Sequence, residues 1–196
     1  MALELFAVEV HVAQVPRGVA LDLVLEVLRR DVAALAARHH RAGPDLRAEL
    51  LDGRNKTTES PLGKFDFKNF SYPLPRGWQN PDGSDITLVN GRRQPVVVDV
   101  GAEPTDEQRM VAKAERRIGM TYVTTKFLDV NNDGVDEALV ILKIETAGSA
   151  IPQVVYVYSW KDEKPDLIWT FRTGDRADGG LKDLRVENGL FVIELY

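Results

Sequence analysis

From Thr121 to the C-terminus, the chain is a series of short apolar, β-branched and aromatic segments separated by short polar breaks. The segments are "TYVTTKFL", "ALVILKIET", "PQVVYVYSW", "DLIWTFRT", "KDLRVE" and "LFVIELY". Runs of this length and composition are typical of β-strands. The connections are too short for parallel crossovers, so neighbouring strands are expected to pair antiparallel. The pattern predicts a C-terminal antiparallel meander of about six strands, and the absence of a second copy of the block argues against a solenoid or a complete propeller.

One helix is well signalled upstream of these strands. Thr105 and Gln108 have the spacing of a capping box, in which each side chain accepts from the other residue's backbone N–H group. Val111, Ala114 and Ile118 recur at helical spacing and give the segment a narrow apolar face. We therefore predict one helix packed on the sheet, in an α+β fold that is mainly β. Before the helix, "ITLVNGRRQPVVVDV" predicts a hairpin with Asn90-Gly91 at its turn, because these residues tolerate positive φ.

The composition changes near residue 55. Residues 1–55 contain all three histidines but neither lysine nor isoleucine, whereas residues 56–196 contain all nine lysines. An alternation of apolar residues around Val8 and Val10 predicts a strand, and an amphipathic helix is predicted to follow. The apolar face of that helix is made by Leu21, Val24, Leu25, Leu28, Val32 and Leu35. We expect an N-terminal strand–helix extension (1–55) and a β-rich domain (56–196). An alternative is a misplaced gene start, with residues 1–55 replacing a native signal segment.

An unusual concentration of charge lies between the first two predicted strands, in "FLDVNNDGVDEALV". Asp129, Asn131 and Asp133 alternate, so their side chains can converge, and Gly134 allows a sharp turn. Ca²⁺ is a hard cation that takes six to eight oxygen ligands, which carboxylates, amides and carbonyls supply. Converging carboxylates repel one another unless a cation lies between them. The pattern predicts a Ca²⁺ site, and the alternative is a solvated turn with its carboxylates splayed into water.

The expected ligand set is completed by the backbone carbonyl of Val135 and the side chain of Glu137. An EF-hand would need a bidentate glutamate at the twelfth loop position, where this chain has Val140. Predicted strands rather than helices flank the loop, so we expect a β-hairpin loop spanning residues 129–137. Asp136 projects between the expected ligands and is interpreted as a solvent-facing or outer charge.

The stretch "DVNNDGVDEALV" resembles the FG-GAP/VCBS-type repeat, whose calcium loop reads approximately D-x-N-x-D-G-x-x-D before an apolar strand. The match covers Asp129, Asn131, Asp133 and Gly134, and Glu137 stands where the repeat usually has aspartate. Such repeats usually occur in sevens and form a propeller. This chain has one, so the resemblance implies a calcium loop and no propeller.

A wider resemblance covers most of residues 60–196. The stretches "PLGKFDFKNFSYP", "GSAIPQVVYVY" and "TGDRADGGLKDLRVENGLFVIELY" are similar to uncharacterised bacterial secreted or lipoprotein-like domains. This resemblance implies a periplasmic or cell-envelope location and supplies no catalytic residues. The first residues, "MALELFAVEV", lack the basic start of a signal peptide, so none is predicted in the sequence as given.

Bulk properties exclude several classes of function. The net charge is -5 and no basic face is visible, so we expect no nucleic-acid partner. No apolar run approaches the ~18 residues of a membrane span. The absence of cysteine excludes disulfides, thiolate zinc sites and cysteine nucleophiles. Neither a "GxSxG" elbow nor a phosphate-binding loop is present.

Other candidate sites have simpler explanations. Asp175, Arg176 and Asp178 in "GDRADGG" could converge as a ligand loop, but a long hairpin turn is favoured. The histidines of "RHHR" (38–41) are adjacent and would point about 100° apart on a helix, which suits chelation poorly.

Aromatic residues fall into two groups for which packing is favoured over sugar binding. The first group is Phe65, Phe67, Phe70 and Tyr72. The second is Tyr156, Tyr158 and Trp160 on one strand with Trp169 and Phe171 on the next.

The sequence thus favours a non-catalytic, extracytoplasmic β-rich module with a Ca²⁺-binding hairpin loop and an unidentified protein or glycan partner. The alternative is a hydrolase of unknown class that uses the carboxylates near residues 175–178.

Overall fold

A computed structural model describes residues 8–10, 51, 53–146, 152–173 and 180–195. The strands are β1 (Val8–Val10), β2 (Ser71–Pro73), β3 (Asp85–Thr87), β4 (Arg92–Arg93), β5 (Gly119–Leu128), β6 (Glu137–Glu145), β7 (Gln153–Lys161), β8 (Lys164–Arg172), β9 (Leu181–Glu187) and β10 (Leu190–Leu195). Within these residues there is one α-helix, α1 (Asp106–Glu115), and one 3-10 helix, Pro61–Lys64. The predicted amphipathic helix around residues 21–35, the "RHHR" pair and residues 174–179 lie outside the described residues.

The main sheet has five antiparallel strands in the order β4-β5-β6-β7-β8. It contains the first four strands of the predicted meander, and the mainly β fold is confirmed. Both faces of β6 are buried, which explains its continuous apolar sequence. Val140 and Leu142 face one side with Val154 and Tyr156, and this side forms the first core cluster. Leu139, Ile141, Val155 and Val157 face the other side and belong to the second core cluster.

The last two strands of the predicted meander do not extend the main sheet. In the described part of the chain, β9 and β10 form a separate antiparallel sheet with β1, in the order β1-β10-β9. Leu181, Leu184 and Ile193 of this sheet pack into the second core cluster. The physical reason is that a single six-stranded layer would leave that apolar face of β6 and β7 in water. The meander therefore splits into two layers. β1, from the expected N-terminal extension, pairs antiparallel with the C-terminal strand β10.

The opposite face of the main sheet is covered by the aromatic segment before β2 and by the β2–β3 pair. Phe67 and Tyr72 are buried there, and the ring of each lies within 6.3 Å of the Tyr158 ring centroid. The Tyr156 hydroxyl donates to the Pro73 carbonyl at 2.6 Å, which ties the layer to β7. The packing role predicted for the first aromatic group is confirmed.

The second aromatic group is divided between the two faces of the sheet. Trp169 and Phe171 stack on each other, and Trp169 meets Phe191 of β10 edge-on. They lie opposite Val157 and Val155, so they share a face with those valines and not with the tyrosines of β7. The aromatic residues of β7 and β8 therefore pack on opposite faces of the sheet, and packing without a ligand explains both sets.

The helix forms as predicted, but its packing differs. The Thr105 hydroxyl accepts from the Gln108 N–H group and the Gln108 side chain accepts from the Thr105 N–H group, which confirms the capping box. None of the helical residues is buried, and Met110 is 72% exposed. Of the expected apolar face, only Ile118, which lies beyond the helix, packs against the core. The helix therefore projects from the fold instead of lying on the sheet.

The predicted turn at Asn90-Gly91 is present, with φ values of 54° and 80°. Its two arms separate, however, because β3 pairs with β2 while β4 pairs with β5. None of the described helices is long and apolar enough to cross a membrane.

Candidate metal site

The acidic loop connects β5 to β6, whose facing ends are Leu128 and Glu137. Strands therefore flank the loop on both sides, as predicted. Asn132 (φ 58°) and Gly134 (φ 87°) adopt left-handed backbone conformations that reverse the chain. The loop is thus a hairpin connection and not the helix-flanked loop of an EF-hand.

The carboxylates of the loop turn inward onto its own backbone. Asp129 accepts from the Asp133 N–H group at 3.0 Å and from the Gly134 N–H group at 2.9 Å. Asp133 accepts from the Val135 N–H group at 2.8 Å. These bonds fix the two side chains without using up their acceptor capacity, because a carboxylate offers about four lone-pair sites. The two side chains are thus ordered against the loop backbone, and the choice between a metal site and a solvated turn stays open.

Glu137 is the buried member of the set, with 2% of its surface exposed. One of its oxygens accepts from the Val130 N–H group and the other from the Asn131 amide, both at 3.0 Å. Burial raises the pKa of Glu137 to about 7, against the lowering effect of the Val130 hydrogen bond. The negative charges of Asp133 and Asp129 raise this pKa further. The loop therefore concentrates negative charge beside a carboxylate that is withdrawn from water.

Asn131 occupies the centre of the loop in an orientation that the sequence did not predict. Its amide nitrogen donates to Asp133 Oδ2 and to Glu137 Oε1, both at 3.0 Å, while its oxygen accepts from the Asp133 N–H group. The two carboxylate oxygens therefore lie within about 6 Å of each other, on either side of an N–H donor. For Asn131 to serve as a ligand, the amide would have to rotate so that its oxygen faces inward.

The donor chemistry of the loop suits Ca²⁺, although the side chains do not surround one point. Three carboxylates, an amide and the Val135 carbonyl are all hard oxygen donors within one loop. Across the described residues, no three His, Asp or Glu side chains lie close enough to hold a metal by themselves. A calcium ion would therefore depend on the amide and carbonyl oxygens as well as on the carboxylates.

Two long-range contacts anchor the loop, and sequence reasoning found neither. Asp136 accepts from the Thr58 hydroxyl at 2.7 Å, so one of its oxygens is engaged outside the loop. The Asn132 amide donates to the Gly189 carbonyl in the β9–β10 turn at 2.8 Å. The partners are 78 and 57 residues apart in the chain, so no local pattern could have indicated them.

No protein-family model matches the chain, and neither a curated protein nor a solved structure matches it. The resemblance to the FG-GAP/VCBS-type loop therefore rests on the loop residues alone. Asp175, Arg176 and Asp178 lie outside the described residues, and the hydrolase alternative stays a prediction.

Proposed function

We propose that this protein is a non-catalytic, extracytoplasmic β-rich module whose β5–β6 loop binds Ca²⁺ through Asp129, Asn131, Asp133, the Val135 carbonyl and Glu137. Its role would be structural or adhesive, with a protein or a glycan as partner. The bound ion would hold the end of the β5–β6 hairpin against the segment containing Thr58 and against the β9–β10 turn.

The observation that carries the proposal is the buried carboxylate of Glu137. Its oxygens are engaged by one backbone N–H group and one neutral amide, and no basic side chain of the described residues pairs with it. Buried carboxylates in proteins are normally paired with cations or coordinate metals. The negative charges of Asp133 and Asp129 also act on Glu137, so a divalent cation in the loop would offset part of this concentrated charge.

The extracytoplasmic location is proposed because of the affinity expected for such a loop. Extracellular calcium modules bind in the range ~10⁻⁴–10⁻³ M, which cytosolic Ca²⁺ would leave empty. With a Kd of ~10⁻³ M, about 10 mM Ca²⁺ would add RT ln(1 + [L]/Kd), or about 1.4 kcal/mol, to the free energy of unfolding. For a protein of this size, that gain corresponds to a rise in Tm of roughly 3–5 °C.

The test compares thermal unfolding in Ca²⁺, in Mg²⁺ and in chelator for three proteins. These are the wild type, Asp133→Asn and the matched control Asp136→Asn. Both variants lose one negative charge from the same loop, but only Asp133 belongs to the proposed ligand set. We expect Ca²⁺ to raise the Tm of the wild type and of Asp136→Asn, with Mg²⁺ giving a smaller shift, and to leave Asp133→Asn unchanged.

Two results would contradict the proposal. An unchanged wild-type Tm at about 10 mM Ca²⁺ would exclude an affinity in the expected range. Equal Tm shifts for the two variants would mean that Ca²⁺ stabilises the protein through the overall negative charge of the loop and not through the proposed ligands. Isothermal titration of the wild type supplies a stoichiometry, which should be one ion per chain.

A further inference from the structure

An open cleft of about 620 Å³ lies at the other end of the β5–β6 hairpin from the acidic loop. One wall is the segment from Gly77 to Pro81, and the other is the C-terminal part of α1 with Lys113 and Arg116. Ile118, just before β5, and Thr146, just after β6, also line it. Since β5 has ten residues, roughly 30 Å separate this cleft from the candidate metal site.

The wall that carries Trp78 is held in place by several bonds. The Trp78 indole is half-buried and packs partly against the first core cluster. The Asn80 side chain is buried, accepts from the Ile118 N–H group at 2.7 Å and donates to the Ile118 carbonyl. The backbone groups of Asn80 and Gly83 bond to each other across a tight turn. The aromatic surface in the cleft is therefore preorganised, which lowers the entropic cost of binding.

The described side chains that line the cleft bring positive charge to it, from Lys113 and Arg116. Neither the Lys113 nor the Arg116 side chain has a bonding partner among the residues that the structure describes. The described residues that line the cleft include no carboxylate. Asp82, which follows the Trp78 wall in the chain, is engaged by Arg117 at 3.3 Å and by Arg93 at 3.8 Å. A chain of net charge -5 thus presents two free cations beside an exposed part of a tryptophan.

We propose that this cleft binds an acidic saccharide, with a sugar ring on the Trp78 indole and the sugar's carboxylate between Lys113 and Arg116. The C–H groups of a sugar ring carry partial positive charge and are attracted to the electron-rich face of an indole. Lys113 and Arg116 lie three positions apart, on one side of the helix, so both can reach one carboxylate. The site is independent of the calcium proposal.

A monovalent carboxylate suits the cleft better than a phosphate. The cleft adjoins the C-terminal end of α1, whose last carbonyl groups carry partial negative charge. That potential opposes a doubly charged phosphate more strongly than a single carboxylate. Among the described lining residues, a nucleobase would also find one aromatic ring and not a pair between which to stack.

The experiment titrates the full-length protein, in chelator, with a linear trimer of galacturonic acid, with a neutral galactose trimer and with adenosine monophosphate. Binding is measured by calorimetry and by tryptophan fluorescence. We expect the acidic trimer to bind and the neutral trimer to bind about a hundredfold more weakly, because it lacks the charge contacts with both Lys113 and Arg116, at about tenfold each. Added salt should weaken binding of the acidic trimer, because the contacts with Lys113 and Arg116 are exposed to solvent.

The variants separate a specific site from general attraction. Arg116→Gln should weaken binding of the acidic trimer about tenfold, whereas Arg109→Gln should leave it unchanged. Both arginines lie on or just after α1 and are exposed, but Arg109 pairs with Asp106 and does not line the cleft.

Absence of binding by the acidic trimer at millimolar concentration would overturn the proposal. It would also be overturned by equal binding of the neutral trimer, by tighter binding of the nucleotide, or by equal loss in the two variants. Because chelator is present throughout, failure here would leave the calcium proposal untouched.

Discussion

At the scale of single residues, a buried ion pair joins the two layers of the protein. Lys126 of β5 is 1% exposed, and its ammonium donates to Asp183 of β9 at 2.8 Å. Asp183 also lies 3.9 Å from Arg54, whose side chain is largely exposed. Charged groups in such positions cost desolvation energy that the pair itself must offset. We therefore expect the pair to contribute little net free energy and to act mainly by aligning β9 with β5.

We predict that Asp183→Asn destabilises the protein by about 3–5 kcal/mol, because it leaves the Lys126 ammonium buried without a counter-charge. The double variant Lys126→Met/Asp183→Leu should recover most of that loss, since it removes both charges and fills the space with apolar groups. Urea denaturation of the two variants and of the wild type measures the difference. A single variant as stable as the wild type would mean that water solvates the ammonium in the folded state.

Residue-scale reasoning from sequence succeeded where the determinants are local. The capping box needed only Thr105 and Gln108, three positions apart, and the Asn90-Gly91 turn needed only residues that tolerate positive φ. It did not specify the orientation of Asn131, whose amide nitrogen donates to Asp133 and to Glu137, and the ligand role of this residue stays a prediction. The orientation of an amide depends on which acceptors the folded chain brings around it, and the sequence pattern does not specify this.

At the scale of elements, the strands were predictable but their partners were only partly so. Apolar, β-branched segments identified β5 to β10, because burial on one or both faces requires that composition. The separation of β9 and β10 from β8 was not predictable, since it depends on the second apolar face of β6 and β7 needing a cover. The exposure of α1 was likewise missed, because helical periodicity indicates an apolar face without indicating whether another surface meets it.

The β9–β10 hairpin carries an ion-pair network on its outer side that should give it an acid-sensitive stability. Glu194 accepts from the Lys182 ammonium and from the Arg185 guanidinium, the latter at 2.6 Å. The Lys182 hydrogen bond in particular lowers the pKa of Glu194, against the raising effect of burial. A carboxyl group with a lowered pKa in the folded state stabilises that state at all pH values above its ordinary value. This contribution is lost as the pH falls through the folded-state value.

We predict that Glu194→Gln lowers the free energy of unfolding near neutral pH by roughly 1 kcal/mol, as partly exposed pairs contribute little each. The deficit should shrink as the pH falls below the ordinary range of a glutamate and vanish in stronger acid, where wild-type Glu194 is protonated too. Unfolding in urea at a series of pH values measures this difference. Glu103→Gln, at an exposed position, is the matched control and should show no such trend. A deficit that grows in acid would contradict the assignment.

At the scale of the whole molecule, β6 and β7 belong to two hydrophobic cores at once. Alternate residues of each strand enter the first cluster, with Leu142 and Tyr156, and the second, with Ile141 and Val155. Each cluster has a tryptophan packed against it that can report on its unfolding, Trp160 for the first cluster and Trp169 for the second. Because β6 and β7 supply side chains to both clusters, disruption of one cluster disturbs the strands on which the other depends. The two layers should therefore unfold as one unit.

This cooperativity can be tested with Leu184→Ala, which removes a fully buried side chain from the second cluster alone. Truncation of a buried leucine costs about 2–5 kcal/mol. We expect the urea midpoint to fall equally in a background that retains only Trp169 and in one that retains only Trp160, with the other tryptophans replaced by phenylalanine. Leu142→Ala, in the first cluster, is the converse control and should also shift both reporters together.

If Leu184→Ala shifted the Trp169 midpoint and left that of Trp160 in place, the β9–β10 layer would be an independently unfolding cover. In that case, the contact between Asn132 and Gly189 would connect the acidic loop to a part of the protein that opens separately from the main sheet.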